Sequence, residues 1–308
     1  MPVVKILYTS SMSTILVLAG GTSAEREVSL RSGAAVVEAL RSKGHTVETA
    51  DPAQGIAVGS TIDVVFPALH GKGGEDGSIQ AVLEASGVRC VGADANASAL
   101  CFDKWAYRTF AQEHGLPVPA GEMVTLATMW DSPLCSKPFV LKPFDGGSSV
   151  DTHIVRDPSA ADKAAIEQSF TRNQRMLLEE LIEGIEITVG VLGTTVLPAV
   201  EIIPPADGEF DYENKYNGKT QEITPPTHIT SQQHAKAQEL ALQAHQLTGC
   251  RDLSRTDMIV TPESRVVILE TNTLPGMTDQ SLFPKAAAAG GHTFPDVCDT
   301  LVQLALAR

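Results

Sequence analysis

The chain has 308 residues, of which 43% are hydrophobic and 19% charged, and carries a formal net charge of -14. That composition supports a buried core and argues against long disorder. The acidic balance argues against a nucleic-acid or anionic-membrane partner, because holding a polyanion needs a basic surface. The length favours two or three subdomains with a cleft between them over one compact core. Five scattered cysteines (Cys90, Cys101, Cys135, Cys250, Cys298) form no CxxC pair; this points to a reducing cytoplasm rather than a disulfide framework or zinc site. No apolar run reaches the roughly 18 residues that a membrane span needs.

Residues 1–11 precede a second methionine, Met12, and read as an alternative start or a leader. Beyond them, β-rich runs at 15–19, 45–50, 63–69 and 88–91 alternate with helix-like stretches at 30–43 and 78–86. This alternation predicts an α/β domain with a parallel sheet over residues 1–103. Its glycine-rich turns, Gly20-Gly21 and residues 71–74, follow strands, at the carboxyl edge where such sheets bind ligands. A helix at 104–114 opens a central region, 104–190, in which 139–142, 153–155 and 176–180 read as strands of a small mixed domain. The last region, 191–308, is entered by a hairpin of 187–192 and 196–203. There follow a polar loop at 204–226, long enough to be a lid, and a helix at 231–248.

Residues 255–272 (RTDMIVTPESRVVILETN) read as two apolar strands joined by a polar turn. Closed symmetrically about residues 262–265, the hairpin sets Asp257 opposite Glu270 and Arg255 opposite Asn272, and steps of two aim all four at one face. Two carboxylates and a carboxamide suit Mg²⁺, which takes one or two protein carboxylates plus substrate phosphates. The alternative is a surface ion-pair network, disfavoured because both strands are otherwise apolar.

Other segments carry chemistry beside a plainer alternative. Lys142 and the following PFDGGSS loop offer an ammonium, free backbone N–H groups and the Ser148 and Ser149 hydroxyls to phosphate oxygens, or form an ordinary turn. The acidic run around Glu179, Glu180, Glu183 and Glu186 can accept hydrogen bonds from a ribose or an adenine amine, or be a solvated turn. The Pro275-Gly276 turn can present a backbone N–H beside Arg255 as an oxyanion site, or be structural. Glu25 can meet a substrate ammonium, or cap the next helix with Ser29; His70 can touch substrate, or satisfy a core hydrogen bond.

Taken in order, GGTSAEREVSL (20–30), LHGKGGEDG (69–77), SALCFDK (98–104), the Ser148-Ser149 loop, DYENKY (211–216) and NTLPGMTDQSLFP (272–284) resemble the D-alanine:D-alanine ligases, an ATP-grasp family, over nearly the whole chain from Ile15. The resemblance implies a three-domain α/β ATP-grasp fold with ATP gripped between the central and C-terminal domains. It also implies a cytoplasmic homodimer making D-alanyl-D-alanine for peptidoglycan through an acyl phosphate. By it, Lys104, Lys142, Ser149 and Lys215 meet ATP phosphates, Glu179, Glu180 and Glu186 the adenosine, and Asp257, Glu270 and Asn272 hold Mg²⁺, or Mn²⁺ in its place. Glu25 and His70 match the first D-alanine site, and Ser281 and Leu282 the second. Arg255 and the Gly276 N–H match the oxyanion stabilisers, and Glu25, Ser148 and Tyr216 a hydrogen-bonded set linking closing loops. The loop bearing Lys215 and Tyr216 is expected to order on ATP binding.

Three places depart from the family pattern. Asp151 stands where glycine is usual, near the phosphates; residues 92–96 (GADAN) differ from the usual GSGV type; Ser254 replaces a common glycine before Arg255. Such changes suit a paralogous carboxylate-amine ligase with other amino acids, or a non-catalytic nucleotide-binding regulator. Tyr216, in contrast, matches the residue that goes with an amine as second substrate.

Overall fold

The computed structural model describes residues 12–147, 151–205 and 220–308. Residues 1–11, Ser148, Ser149, Lys215 and Tyr216, with the expectations attached to them, lie outside the described residues.

Strand β1 (Thr14–Leu18), helix α1 (Arg26–Ser42), β2 (Thr46–Ala50), β3 (Val64–Pro67), α2 (Ser78–Ala85), β4 (Arg89–Cys90) and α3 (Ala95–Phe102) build the first unit. Its sheet runs β2-β1-β3-β4 and is wholly parallel, as the alternation of elements predicts. All four β3 residues are buried, in keeping with a strand covered on both faces. A Cβ on Gly33 of α1 would lie 2.4 Å from Ala19 Cβ, so glycine lets that helix lie close on the sheet.

Helix α4 (Lys104–Glu113), β5 (Gly121–Val124), β6 (Phe139–Lys142), β7 (His153–Val155), α5 (Lys163–Arg172) and β8 (Met176–Glu180) follow. The four strands make an antiparallel sheet in the order β5-β8-β6-β7. Phe139, Leu141, Met176 and Leu178 face α5 residues Ile166 and Phe170 in one core, and period-two alternation turns Val140, Lys142 and Glu179 to the opposite face.

The third unit contains β9 (Ile185–Leu192), β10 (Thr195–Val196), β11 (Val200–Ile203), β12 (Gln221–Ile223), α6 (Ser231–Leu247), β13 (Leu253–Val260), β14 (Val266–Asn272), α7 (Leu282–Ala289) and α8 (Phe294–Leu306). Its antiparallel sheet runs β12-β11-β9-β13-β14, with β10 on β9. The strand expected at 196–203 is interrupted at Pro198 and divides into β10 and β11, since proline supplies no ladder N–H. Part of the expected loop at 204–226 is β12, paired with β11. The third sheet begins at Ile185, so a boundary at 190 falls inside β9. Tyr107 and Ala111 of α4 share a core with α6 and β9, and Val297 and Leu301 of α8 share one with β1, α1 and β3. The C-terminal helices therefore return to the first unit.

Candidate active site

The β13–β14 hairpin pairs Arg255 with Asn272 and Asp257 with Glu270, as expected, but not by a symmetric closure. Near the turn the register is Met258 to Ile268 and Val260 to Val266, and it shifts beside Asp257 so that Leu269 is an extra residue. Val266 and Ile268 lie in the core. Strict alternation would send Glu270 and Asn272 there too. The bulge reverses the parity, and Leu269, Glu270 and Asn272 all reach the clefts.

On that face Arg255 donates from Nε to Asp257 Oδ1 at 2.9 Å and from Nη2 to Oδ2 at 2.8 Å. The Thr188 hydroxyl from β9 donates to Asp257 Oδ1 at 2.6 Å. Burial opposes the charge of Arg255, yet Asp257, then Glu270 and Glu75, hold its pKa above the ordinary arginine range. Glu270 lies 3.3 Å from Lys104 Nζ, which donates to the Gly146 carbonyl at 2.5 Å. Asn272 Oδ1 accepts from the Leu274 N–H at 2.9 Å and shapes the turn toward Gly276. Among the described residues no group of three His, Cys, Asp or Glu is arranged around a metal position. The candidate set has two carboxylates, completed by a carboxamide, and both carboxylates have cationic partners. As hard oxygen donors on one cleft face they fit Mg²⁺.

Opposite, Lys142 of β6 and Glu179 of β8 are diagonal neighbours whose side chains meet at 2.7 Å, 14% and 5% exposed. Burial works against the Lys142 ammonium, but the adjacent Glu179 carboxylate outweighs it and raises the pKa. Glu180 sits at the rim, accepting from the Ala120 N–H at 2.9 Å. Glu186 shares this cleft with Glu179, Lys142 and Ile259. The cleft encloses about 560 Å³.

A second cleft, of about 1170 Å³, takes in Glu25, His70, Arg255, Asn272, Gly276 and Ser281. Leu282, 9% exposed, also lines it. Glu25 occupies the cap position of α1 without a side-chain capping bond. Its Oε2 is so near the loops that a Cβ on Gly71 or Gly147 would stand 2.6 or 2.8 Å from it. Buried His70 lines the cleft and hydrogen-bonds Ser32 Oγ at 3.0 Å, the core hydrogen bond of its plainer reading. Ser281 accepts from the Thr278 N–H at 3.1 Å, and its Oγ would lie 2.7 Å from a Cβ on Gly276. Lys104, Gly146, Gly147 and Glu270 line both clefts, which therefore meet there.

The departures have local partners. Asp151 does not line either cleft; its carboxylate is turned onto α5, where Arg172 Nε donates at 3.0 Å. A carboxylate near phosphates would repel them, and here it is countered by a guanidinium, whose hydrogen bonds lower the Asp151 pKa. Asp151 adopts a left-handed φ of 56°, a region that glycine enters more freely. Ser254 is fully buried and its hydroxyl meets His245 Nδ1 at 2.8 Å. Asp94 caps α3 by accepting from the Ala97 N–H. Sequence reasoning missed Thr188 and Glu75; the first shares the parity of Glu186 along β9, and the second accepts from the Gly71 N–H at 2.9 Å.

Residues 110–303 match the family described as D-ala D-ala ligase C-terminus, and residues 42–93 the one described as D-ala D-ala ligase N-terminus. The chain belongs to the D-alanine:D-alanine ligase family. It is 41% identical to the D-alanine–D-alanine ligase of Gluconobacter oxydans over 96% of this chain and 99% of that one. Among solved structures, the D-alanine–D-alanine ligase of Bacillus anthracis complexed with ATP is 28% identical, with a TM-score of 0.80 over 97% of this chain and 98% of that one. The VanG D-Ala:D-Ser ligase of Enterococcus faecalis is 28% identical, with a TM-score of 0.82 over 96% and 100%. The α/β architecture of a D-alanine:D-alanine ligase, the ATP-grasp fold, thus extends along the chain.

Proposed function

We propose that this protein joins two D-alanine molecules into D-alanyl-D-alanine, with ATP converted to ADP and phosphate, for peptidoglycan synthesis. The observation that carries the reading is the junction of the two clefts at Lys104, Gly146, Gly147 and Glu270. A phosphoryl group passing from a nucleotide in the smaller cleft to a carboxylate in the larger one must cross there.

In this reading the three sheets are three domains, and the smaller cleft takes ATP, Glu186 accepting from the ribose and Glu179 and Glu180 lying on the adenine side. Lys142 and Lys104 offset phosphate charge, together with Ser149 and Lys215. Asp257, Glu270 and Asn272 would hold Mg²⁺, or Mn²⁺ in its place, which when bound supplies further charge neutralisation at the phosphates. Glu25 and His70 orient the first D-alanine so that its carboxylate faces the junction and accepts the terminal phosphoryl group, giving an acyl phosphate. The second D-alanine is held at Ser281 and Leu282, and its amine attacks the acyl carbon. Arg255 and the Gly276 N–H stabilise the tetrahedral oxyanion before phosphate leaves. Glu25, Ser148 and Tyr216 link the loops that exclude water, because an acyl phosphate hydrolyses.

The setting that suits this chemistry is a cytoplasmic homodimer with small-molecule partners and no nucleic acid or membrane. Among the described residues no helix is long and apolar enough to cross a membrane, and the net charge of -14 disfavours polyanions. Measuring ADP release across a panel of D- and L-amino acids, with the product identified by mass, tests the function. D-alanine alone should support turnover and yield the dipeptide. Turnover only with a mixed pair such as D-alanine and D-serine would replace the substrate assignment, and ATP binding without turnover would refute a ligase.

A further inference from the structure

The return leg of the glycine-rich loop alternates strictly. Thr152 and Ile154 face the smaller cleft, while Asp151 and His153 face α5. Asp151 carries a left-handed φ of 56°, a conformation that, among the described non-glycine residues, it shares only with Ser264 of the β13–β14 turn. Aspartate tolerates that region better than most side chains, yet glycine adopts it freely. Something else holds an aspartate here.

The side chain gives the reason. It is 14% exposed and accepts from Arg172 Nε at 3.0 Å, from Arg172 Nη2, from Asn173 Nδ2 at 3.0 Å and from Ser169 Oγ at 3.5 Å. A forked guanidinium on a carboxylate fixes direction as well as distance. Ser169 Oγ also meets His153 Nε2 at 2.8 Å, so the clasp reaches β7 itself. The donors stand on the last turn and cap of α5, and Ile166 and Phe170 root that helix in the core of the central sheet. The roof of the smaller cleft is thus tied through its outer face to a rigid element.

We propose that Asp151 and Arg172 are positioning residues for the nucleotide: their clasp sets the height of the Thr152–Ile154 roof over bound ATP. Neither residue touches ATP in this scheme. The inference rests on the ligase reading for the identity of the nucleotide, but its mechanical part is read by binding alone.

The test compares wild type with Asp151→Gly, Arg172→Met and the double variant, measuring ATP affinity by calorimetry together with KM for ATP, KM for D-alanine, kcat and thermal midpoint. Asp151→Gly removes the clasp while easing the backbone, so it separates the clasp from the conformation. Each single variant should weaken ATP about tenfold, in both Kd and KM, since small misplacements of a positioning group carry penalties of this order or more. The KM for D-alanine and kcat at saturating ATP should stay within about twofold of wild type, and the double variant should be no weaker than either single one. ATP affinity unchanged within twofold, additive losses, or equal rises in both KM values with a fallen thermal midpoint would each overturn the proposal. A wild-type protein that binds ATP but releases no ADP with D-alanine would refute the ligase reading, and the calorimetric comparison would still judge the clasp.

Discussion

Replacing Lys142 by methionine keeps the aliphatic stem beside the cleft and removes only the ammonium. At 2.7 Å and an effective dielectric of about 20, the attraction lost is about 6 kcal/mol, part of it offset because the Lys142 ammonium no longer has to be held out of water. What remains is the cost of a buried, unpartnered Glu179 carboxylate, about 3 kcal/mol. Urea unfolding at pH 7.5, followed by the fluorescence of Trp130, which packs against the core of the central sheet, should show that loss. Lys142→Met combined with Glu179→Gln should regain most of the stability but none of the ATP turnover, because the charge facing the phosphates is still missing. A single variant as stable as wild type at pH 7.5, or a double variant as unstable as the single one, would refute the reasoning.

Asp257→Asn should lower kcat by at least roughly 100-fold, because it removes one of two candidate metal carboxylates and the anion that orients Arg255. ADP release measured over a Mg²⁺ titration checks this, and undiminished turnover would remove Asp257 from the site. Ser254→Ala strips buried His245 of its hydroxyl partner and should cost about 1–2 kcal/mol in urea unfolding, with kcat within about twofold. Burial, only partly opposed by the Arg251 backbone and Asp252, lowers the pKa of His245 below its ordinary 6.5. The unfolded chain therefore binds a proton that the folded one refuses, and stability should fall as pH drops below about 6.5 until the depressed folded pKa is reached. Burial shifts His153 and His234 the same way and adds to the slope. Urea midpoints at pH 7.5 and 5.5 read it, and a His245→Gln variant with an undiminished difference would rule out His245 as a contributor.

The parallel opening sheet was legible because β1 and β3 are short apolar runs bounded by turn residues, and the strands at 139–142, 153–155 and 176–180 because they too are short apolar runs set between proline and polar residues. Helix α3 was not, because ANASALCF has no polar face to set off an apolar stripe. Helix α7 was hidden for a related reason: LFPKAAAA reads as composition rather than period. Strand β12 is three residues of a polar segment, and only its pairing with β11 makes it a strand. At the site, the pairing of Asp257 with Glu270 was legible from spacing, whereas the compensating bulge was not, since nothing in VVILETN marks Leu269 as extra. The role of Arg172 was invisible for a different reason, as it lies 21 positions from Asp151 and only the fold joins them.

That surplus leucine is like an inserted letter which the backbone skips, so that the message keeps its sense. Because the bulge already absorbs it, a chain without Leu269 would close as a regular ladder with Glu270 still opposite Asp257 and Asn272 opposite Arg255, whereas forcing Leu269 into the ladder would drive an acid and an amide into oil and turn Thr271 toward water. The site can therefore lose this one residue without changing which side chains face it, but not a second one before Asn272. Any redesign of this chain toward new substrates has to keep Glu270 and Asn272 in register with Asp257 and Arg255.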